Sequence, residues 1–221
     1  VGVAEWLFPK ACFGCGAGGG YFCQDCRLKL EGARAICPMC GETSIDGWVH
    51  PRCRKNWGVE RLIAPFRYTG TLKKGIKRVK YSSSWEIVRE MGEFWSRLVV
   101  REIGEIAGGT VVTWIPMYER KKRRRGFDQA EILARRFAKE MGVSCEQLIE
   151  RVRETGAMYE LDKKKRAENI RGVFGVKKGE YKGKTVIVVD DVWTTGSTMR
   201  EAAKELMRRG AKRVWGAVVA R

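Results

Sequence analysis

The 221-residue chain has a single histidine, five prolines and no uninterrupted apolar run near the roughly 18 residues that a membrane span requires. No membrane insertion is expected. Residues 1–10 hold neither a basic leader nor a long apolar core, so no secretory signal is read and a cytoplasmic protein is expected. Acidic side chains are in the minority, with 26 Asp and Glu against 44 Lys and Arg, a net charge of +18. Cysteine is scarce over most of the chain, and of the eight only Cys145 lies beyond residue 53. So sharp a split marks a separate N-terminal module. The length suits one α/β domain with a small appendage, and the expected domains are 1–57 and 58–221.

The clustered cysteines come in pairs two residues apart: Cys12 and Cys15, Cys23 and Cys26, Cys37 and Cys40, and finally His50 and Cys53. A two-residue spacer lets the backbone curl so that both donors face one metal, and thiolate with imidazole is the donor set zinc prefers. Four such knuckles make two structural Zn²⁺ sites. Disulfides are the competing reading, which the absence of a secretory signal disfavours. The lone His50 completes a set of eight donors. A sequential partition puts Cys12, Cys15, Cys23 and Cys26 on one ion and Cys37, Cys40, His50 and Cys53 on the other, while an interleaved cross-brace fits the same spacing.

The rest of the chain alternates strand and helix patterns. Strands are expected at 63–68, 110–115, 147–152, 186–189 and 214–219. Residues 83–86 read as a capping box for a helix whose apolar stripe is Trp85, Val88, Met91, Trp95, Leu98 and Val99. A second helix starts near Asp128 and closes at Gly142, and a third runs from Met199 to Gly210. This alternation argues a parallel sheet with helices on both faces. The cationic excess concentrates at 73–80, 120–125 and 163–166. A basic face attracts polyanions, and the candidate contacts are Lys77, Lys80, Arg123, Arg124 and Arg125, with Tyr81, Tyr118 and Phe127 as nearby aromatic surfaces.

Near the C-terminus the β-branched run 186–189 is followed by Asp190, Asp191, Val192, Trp193, Thr194, Thr195, Gly196, Ser197 and Thr198. A buried parallel strand delivers its carboxyl end to the ligand side of such a sheet, and backbone amides at a helix start form an anion cradle. The stretch resembles the phosphoribosyl-pyrophosphate (PRPP) loop of type I phosphoribosyltransferases. The resemblance implies that Asp190 and Asp191 are the catalytic acid pair and bind the ribose hydroxyls, that residues 194–198 hold the 5′-phosphate, and that Mg²⁺ accompanies PRPP. It also implies a pyrophosphate loop after the first core strand, here Pro116, Met117, Tyr118 and Arg120, and a flexible lid at 164–174. Lysine and arginine donors in such a loop suit a diphosphate leaving group.

The runs Arg124-Arg125-Gly126-Phe127-Asp128-Gln129 and Arg166-x-x-Asn169-x-x-Gly172-x-Phe174, with the PRPP loop and an N-terminal double zinc ribbon, resemble the ComF family. That likeness, from Cys12 to Val219, implies a type I phosphoribosyltransferase-like α/β sheet plus a small zinc domain. It also implies PRPP as ligand, and a part in uptake of single-stranded DNA during natural transformation beside other competence proteins. Asp128 stands where the family usually has Asn, and His50 where it usually has Cys. Two other functions fit the same residues: a conventional phosphoribosyltransferase with a small-molecule acceptor, and a catalytically silent PRPP sensor. A glutamine-dependent amidophosphoribosyltransferase is disfavoured, because its N-terminal Cys nucleophile has no counterpart when Cys12 belongs to a knuckle.

Overall fold

The computed structural model describes residues 10–81, 84–104, 106, 109–153, 169–179 and 181–221. The basic run 163–166 and part of the lid stretch lie outside them, as do Ser83 and the side chain of Tyr81.

The N-terminal module is built twice from one device. Cys12 and Cys37 each open a tight turn in which the amide of Gly16 or Gly41 donates back to the Cys carbonyl at 2.9 Å. Both glycines have positive φ, 77° and 86°, which the turn requires and other residues resist. A short helix, α1 (Gln24–Leu28), starts inside the second knuckle with Cys23 as its N-cap, and one-turn 3₁₀ segments at Ile45–Gly47 and Pro51–Cys53 flank His50. The module is not independent of the larger domain. Phe22 is buried against Phe13 and Phe94, and Glu90 accepts the amides of Tyr21 and Phe22 at 2.9 and 2.8 Å and the Arg27 guanidinium at 2.8 Å. On the other side, the Arg61 guanidinium packs against both rings of the Trp48–Trp215 pair, 5.3 and 5.5 Å from their centroids.

The larger domain runs β1 (Arg61–Ile63), α2 (Gly70–Tyr81), α3 (Trp85–Ile103), β2 (Thr110–Trp114), α4 (Glu119–Arg125), α5 (Gln129–Met141), β3 (Ser144–Cys145), β4 (Ile149–Arg151), β5 (Phe174–Val176), β6 (Thr185–Val192), α6 (Ser197–Arg208) and β7 (Arg213–Ala220). Five strands form one parallel sheet in the order β1-β7-β6-β2-β3, and β4 and β5 pair antiparallel beside it. The two-residue period of β6 splits its apolar run between two cores. Ile187 and Val189 face α2, α3 and α5, whereas Val186 and Val188 face α6 and the β4–β5 pair. Helices therefore cover both faces, as the alternation of patterns predicts.

Several boundaries differ from the sequence reading. The basic run 73–80 is itself helical, because Leu72, Ile76 and Val79 supply a buried stripe at helical spacing and leave the lysines outside. In α3 the N-cap is Ser84 and makes no side-chain cap bond. Trp85 and Leu98 leave the predicted stripe, at 48% and 39% exposure, while Val88, Met91, Trp95 and Val99 are buried. The first strand is shorter and earlier than expected, since Pro65 interrupts it and only Phe66 bridges beyond. Residues 147–152 contribute β4 alone, with β3 a separate parallel pair on β2.

Among the described residues no helix is long and apolar enough to cross a membrane.

Candidate functional site

Strands β2 and β6 are neighbours, yet the chain leaves them in opposite directions. After β2 it passes through α5 on one face to β3, and after β6 through α6 on the other face to β7. The carboxyl ends of β2 and β6 thus flank the topological switch point where open α/β sheets take their ligands. Asp190 and Asp191 end β6 there, and Pro116, Met117 and Tyr118 follow β2 beside them.

The acid pair is unevenly partnered. Asp191, 8% exposed, accepts the Gln129 side-chain amide and lies 3.5 Å from Lys80 Nζ. Gln129 in turn accepts Arg125 Nη1 at 3.1 Å, so Arg125, Gln129, Asp191 and Lys80 form one chain of contacts drawn from α4, α5, β6 and α2. The Asp191 charge raises the Lys80 ammonium above its ordinary value. Asp190 accepts the amide of Asp191 at 2.8 Å. Burial first, and the adjacent Asp191 charge second, push its carboxyl well above the usual carboxylate range. Arg151 on β4 closes the other side, with its Nε donating to the Pro116 carbonyl at 2.9 Å. Burial lowers its guanidinium, and the charges of Asp190 and Asp128 oppose that. Two carboxylates ringed by Lys80, Arg125 and Arg151 can accept bonds from vicinal hydroxyls while the cations face anionic oxygens.

The loop after the acid pair is shaped by one glycine. Gly196 has φ 74°, and a Cβ on it would overlap the Trp193 ring. With no side chain there, the indole folds under the loop and Ser197 begins α6. Thr195 and Ser197 exchange a hydroxyl bond at 2.9 Å, while Thr194 stays exposed. The amides of the first turn of α6 face the same crevice, the arrangement that binds phosphate groups.

The stretch after β2 is only partly a loop. Residues 119–125 form α4, which starts after Tyr118 and ends at Gly126 in the left-handed conformation. Arginine and lysine are good helix formers, and their crowding in the last turn is favoured by the helix dipole, so six consecutive cations are tolerated. They divide by direction. Arg120, Lys121, Arg123 and Arg124 are exposed, Lys122 pairs with Glu131 at 3.0 Å, and Arg125 turns inward. Of the predicted polyanion contacts, Lys80 and Arg125 therefore belong to the acid-pair network, and Lys77, Arg123 and Arg124 to the outer surface. Phe127 packs against the core.

Asp128 explains its own departure from Asn. It is 4% exposed, caps α5 by accepting the amides of Ala130 and Glu131 at 3.0 and 3.4 Å, and accepts the Met117 amide on its other oxygen at 2.7 Å. All its partners are donors, which an acceptor-only carboxylate satisfies. Burial raises its carboxyl, and the three amides oppose the rise. In Asp128→Asn one amide nitrogen must oppose an N–H in either rotamer, so a loss of about 1–2 kcal/mol is expected in denaturant unfolding. Unchanged stability would show that the Met117 amide has another partner.

The second functional region is the cysteine module. Ligand atoms of Cys12, Cys15, Cys23 and Cys26 lie within 4.8 Å of one another, and so do those of Cys37, Cys40, His50 and Cys53. Four donors around one tetrahedral zinc sit about 3.8 Å apart, given Zn–S near 2.3 Å. The pair Cys15 Sγ to Cys23 Sγ is at 3.6 Å and Cys40 Sγ to His50 Nδ1 at 3.4 Å, so both sets fit. No disulfide joins the cysteines. His50 Nε2 is 3.0 Å from the Thr43 carbonyl; a carbonyl only accepts, so Nε2 carries the proton and Nδ1 offers its lone pair to the cluster. Backbone amides outweigh burial to hold the Cys12 thiol at about 6 and the Cys37 thiol at about 7, which favours the ligating thiolate in both first positions. At Gly14 a Cβ would overlap Cys26 Sγ, so the first knuckle accepts no larger residue there.

Gln129 lay visible beside Asp128 in the sequence, within a run already singled out. Arg151 and Arg200 carried no local signal. Arg200, in the first turn of α6, donates Nε to the Pro38 carbonyl at 2.7 Å and sets its guanidinium 5.5 Å from the Trp193 ring centroid.

A parallel α/β sheet with an acid pair and a hydroxyl-rich, glycine-bearing loop at its switch point is the layout of a phosphoribosyltransferase-type domain, here preceded by a two-site metal ribbon. The family model described as phosphoribosyl transferase domain matches residues 123–221, and the double zinc ribbon domain matches residues 3–54. Relatives match over most of the chain, across both regions. The chain is 29% identical over 207 residues to DNA utilization protein YhgH of Salmonella typhimurium, covering 87% of this chain and 86% of that protein. It is 27% identical over 208 residues to Competence protein F of Haemophilus influenzae, covering 88% of each. It is also 27% identical over 201 residues to Competence protein ComFC of Bacillus subtilis, covering 85% and 78%. Over most of its length the chain is a homologue of these YhgH and competence proteins, with a phosphoribosyl transferase domain and a double zinc ribbon domain.

Proposed function

We propose that this chain is a PRPP-binding, phosphoribosyltransferase-like competence protein that handles single-stranded DNA in the cytoplasm beside DNA-uptake partners. Its domains are then a metal ribbon over 1–57 and a ligand domain over 58–221. The placement of Asp190, Asp191 and the 194–198 loop at the β2–β6 switch point carries this reading. In it, Asp190 and Asp191 accept from the ribose hydroxyls, residues 194–198 donate to the 5′-phosphate, and Arg125 and Arg151 face the diphosphate that Mg²⁺ accompanies. Zinc at the two four-donor clusters is structural, since no donor position is left open for chemistry. Calorimetric titration with PRPP and Mg²⁺, followed by a turnover assay against bases, amines and nucleic acids, tests the reading. Absence of PRPP binding would sink it.

The nucleic-acid part rests on the outer cations. Lys73, Lys74, Lys77 and Arg78 line the exposed side of α2, and Arg120, Lys121, Arg123 and Arg124 that of α4. Arg125 links the two helices by donating to the Lys80 carbonyl at 3.5 Å, so the two basic faces adjoin. Single-stranded DNA is expected to bind with little sequence preference and with affinity that falls as salt rises. Each phosphate neutralised on a single strand adds about 0.7 to the slope of log affinity against log salt, so changing Arg123 and Arg124 to Gln should lower that slope by about 1.4. An unaltered slope would remove α4 from the strand's path.

A further inference from the structure

The second metal cluster and the phosphate loop are joined by one side chain. The Pro38–Met39 peptide sits inside the Cys37–Cys40 knuckle and is trans, so its N–H and its carbonyl point in opposite directions. The Pro38–Met39 peptide lies one residue along the chain from the ligand Cys37. The carbonyl of the same peptide accepts Arg200 Nε at 2.7 Å. Arg200 is half-buried, and its guanidinium lies over the Trp193 ring that fills the space beneath Gly196. Its own amide donates to the Gly196 carbonyl at 3.0 Å, closing the first turn of α6. The links thus run from a metal-ligating cysteine, through the carbonyl of the residue bonded to it, to the backbone of the loop.

We infer that Arg200 is a positioning residue that couples the second metal cluster to the phosphate loop, so that ligand at the loop and metal on Cys37, Cys40, His50 and Cys53 stabilise each other. The inference rests on the PRPP reading of the loop. It follows because the rigid, metal-closed knuckle fixes the Pro38 carbonyl, the carbonyl fixes the guanidinium, and the guanidinium holds the indole against Gly196. Coupling between two sites is reciprocal, so an effect of metal on ligand must appear equally as an effect of ligand on metal. The first cluster supplies an internal control, since it docks on α3 through Glu90 and touches the loop nowhere among the contacts described.

The experiment follows zinc release from the purified full chain to a chromogenic chelator, with and without saturating PRPP and Mg²⁺. The Asp190→Asn/Asp191→Asn variant serves as the control for metal capture by free ligand. In the wild type, one of the two zinc equivalents should leave about five-fold or more slowly when PRPP is bound, the low end of ordinary coupling, while the other is unmoved. Arg200→Met keeps the aliphatic packing on Trp193 but cannot bond Pro38, and should abolish the slowing and weaken PRPP binding. Arg200→Lys, which keeps a donor without the planar group, should restore part of it. PRPP binding in the wild type with no slowing of either equivalent overturns the coupling alone, and this result needs no variant to fold. Undiminished slowing in Arg200→Met overturns the role of Arg200. Failure of PRPP to bind the wild type at all overturns the reading of the site, and the coupling with it.

Discussion

Asp190→Asn is expected to lose PRPP affinity and gain thermal stability at neutral pH in the same protein. Asparagine keeps the oxygen that accepts the Asp191 amide at 2.8 Å, so the local backbone has no reason to move. What it removes is a carboxyl that burial and the Asp191 charge push well above its ordinary value. Between the unfolded value, about 3.9, and that higher folded value the folded state binds more protons than the unfolded one. Stability contributed by this group is therefore present at low pH and lost as pH rises through the folded value. The neutral amide escapes this loss, so its melting temperature should exceed the wild type's at pH 7–8 and match it near pH 4. Chains of this length move by about 2–4 °C per kcal/mol, which makes the difference readable. The ligand feels the opposite effect. Charge-assisted hydrogen bonds contribute about 1.5–3 kcal/mol each, and losing both carboxylates in Asp190→Asn/Asp191→Asn should weaken PRPP by roughly a hundredfold or more. Calorimetry and melting curves at the two pH values read both effects. Unchanged affinity in the double variant would take these carboxylates out of the ribose site, and a melting difference independent of pH would mean that Asp190 is not the strained group.

The site shows where local sequence is enough and where it is not. Eight donors in four identical spacings announced two clusters, because a metal knuckle is a local device whose geometry lies within four residues. The strand and loop over 186–198 were equally legible, since a buried parallel strand, its carboxyl end and a glycine-bearing helix start are written contiguously. The sheet's order is not local, and the crevice exists only because β2 and β6 meet with their connections diverging. The groups that poise the acid pair come from four separate elements. Lys80 reaches Asp191 from α2, Gln129 from α5, and Arg125 joins them from α4, while Arg151 arrives from a three-residue strand that nothing in the sequence distinguishes. Residues 119–125 read as a basic run after the strand, and helix propensity and the dipole make them a helix, so that of the loop implied by resemblance only residues 116–118 stay outside regular structure. Asp128 shows the reverse case. The departure was visible in the sequence, but its reason, a third donor at Met117, needed the fold.

Loss of metal should have the largest effect on the N-terminal module. Among its described residues the buried apolar side chains are few, Phe22, Ile36 and Val49 beside the ligands Cys12 and Cys37, and such a core does not hold some 45 residues together unaided. Structural zinc contributes about 10–16 kcal/mol in small domains whose folding it drives. Cys53→Ala leaves three donors in the second cluster, and metal analysis should fall from about two zinc per chain to about one. Hydrogen exchange should then accelerate across residues 36–53. Residues 11–28 should keep their protection, because the first cluster retains four donors and Glu90 still pins Tyr21, Phe22 and Arg27 to α3. His50→Cys behaves differently, since a thiolate replaces the Nδ1 donor while the bond to the Thr43 carbonyl is lost. Both zinc ions should remain, with affinity at the second cluster lowered by about 10- to 100-fold, the usual result of losing an outer-shell partner. Exhaustive chelation of the wild type should melt the module and leave the parallel sheet folded, because the sheet's two cores draw mainly on the larger domain. One zinc per chain in protein purified under reducing conditions, or two zinc ions retained by Cys53→Ala, would contradict the assignment of these eight side chains to two metal sites.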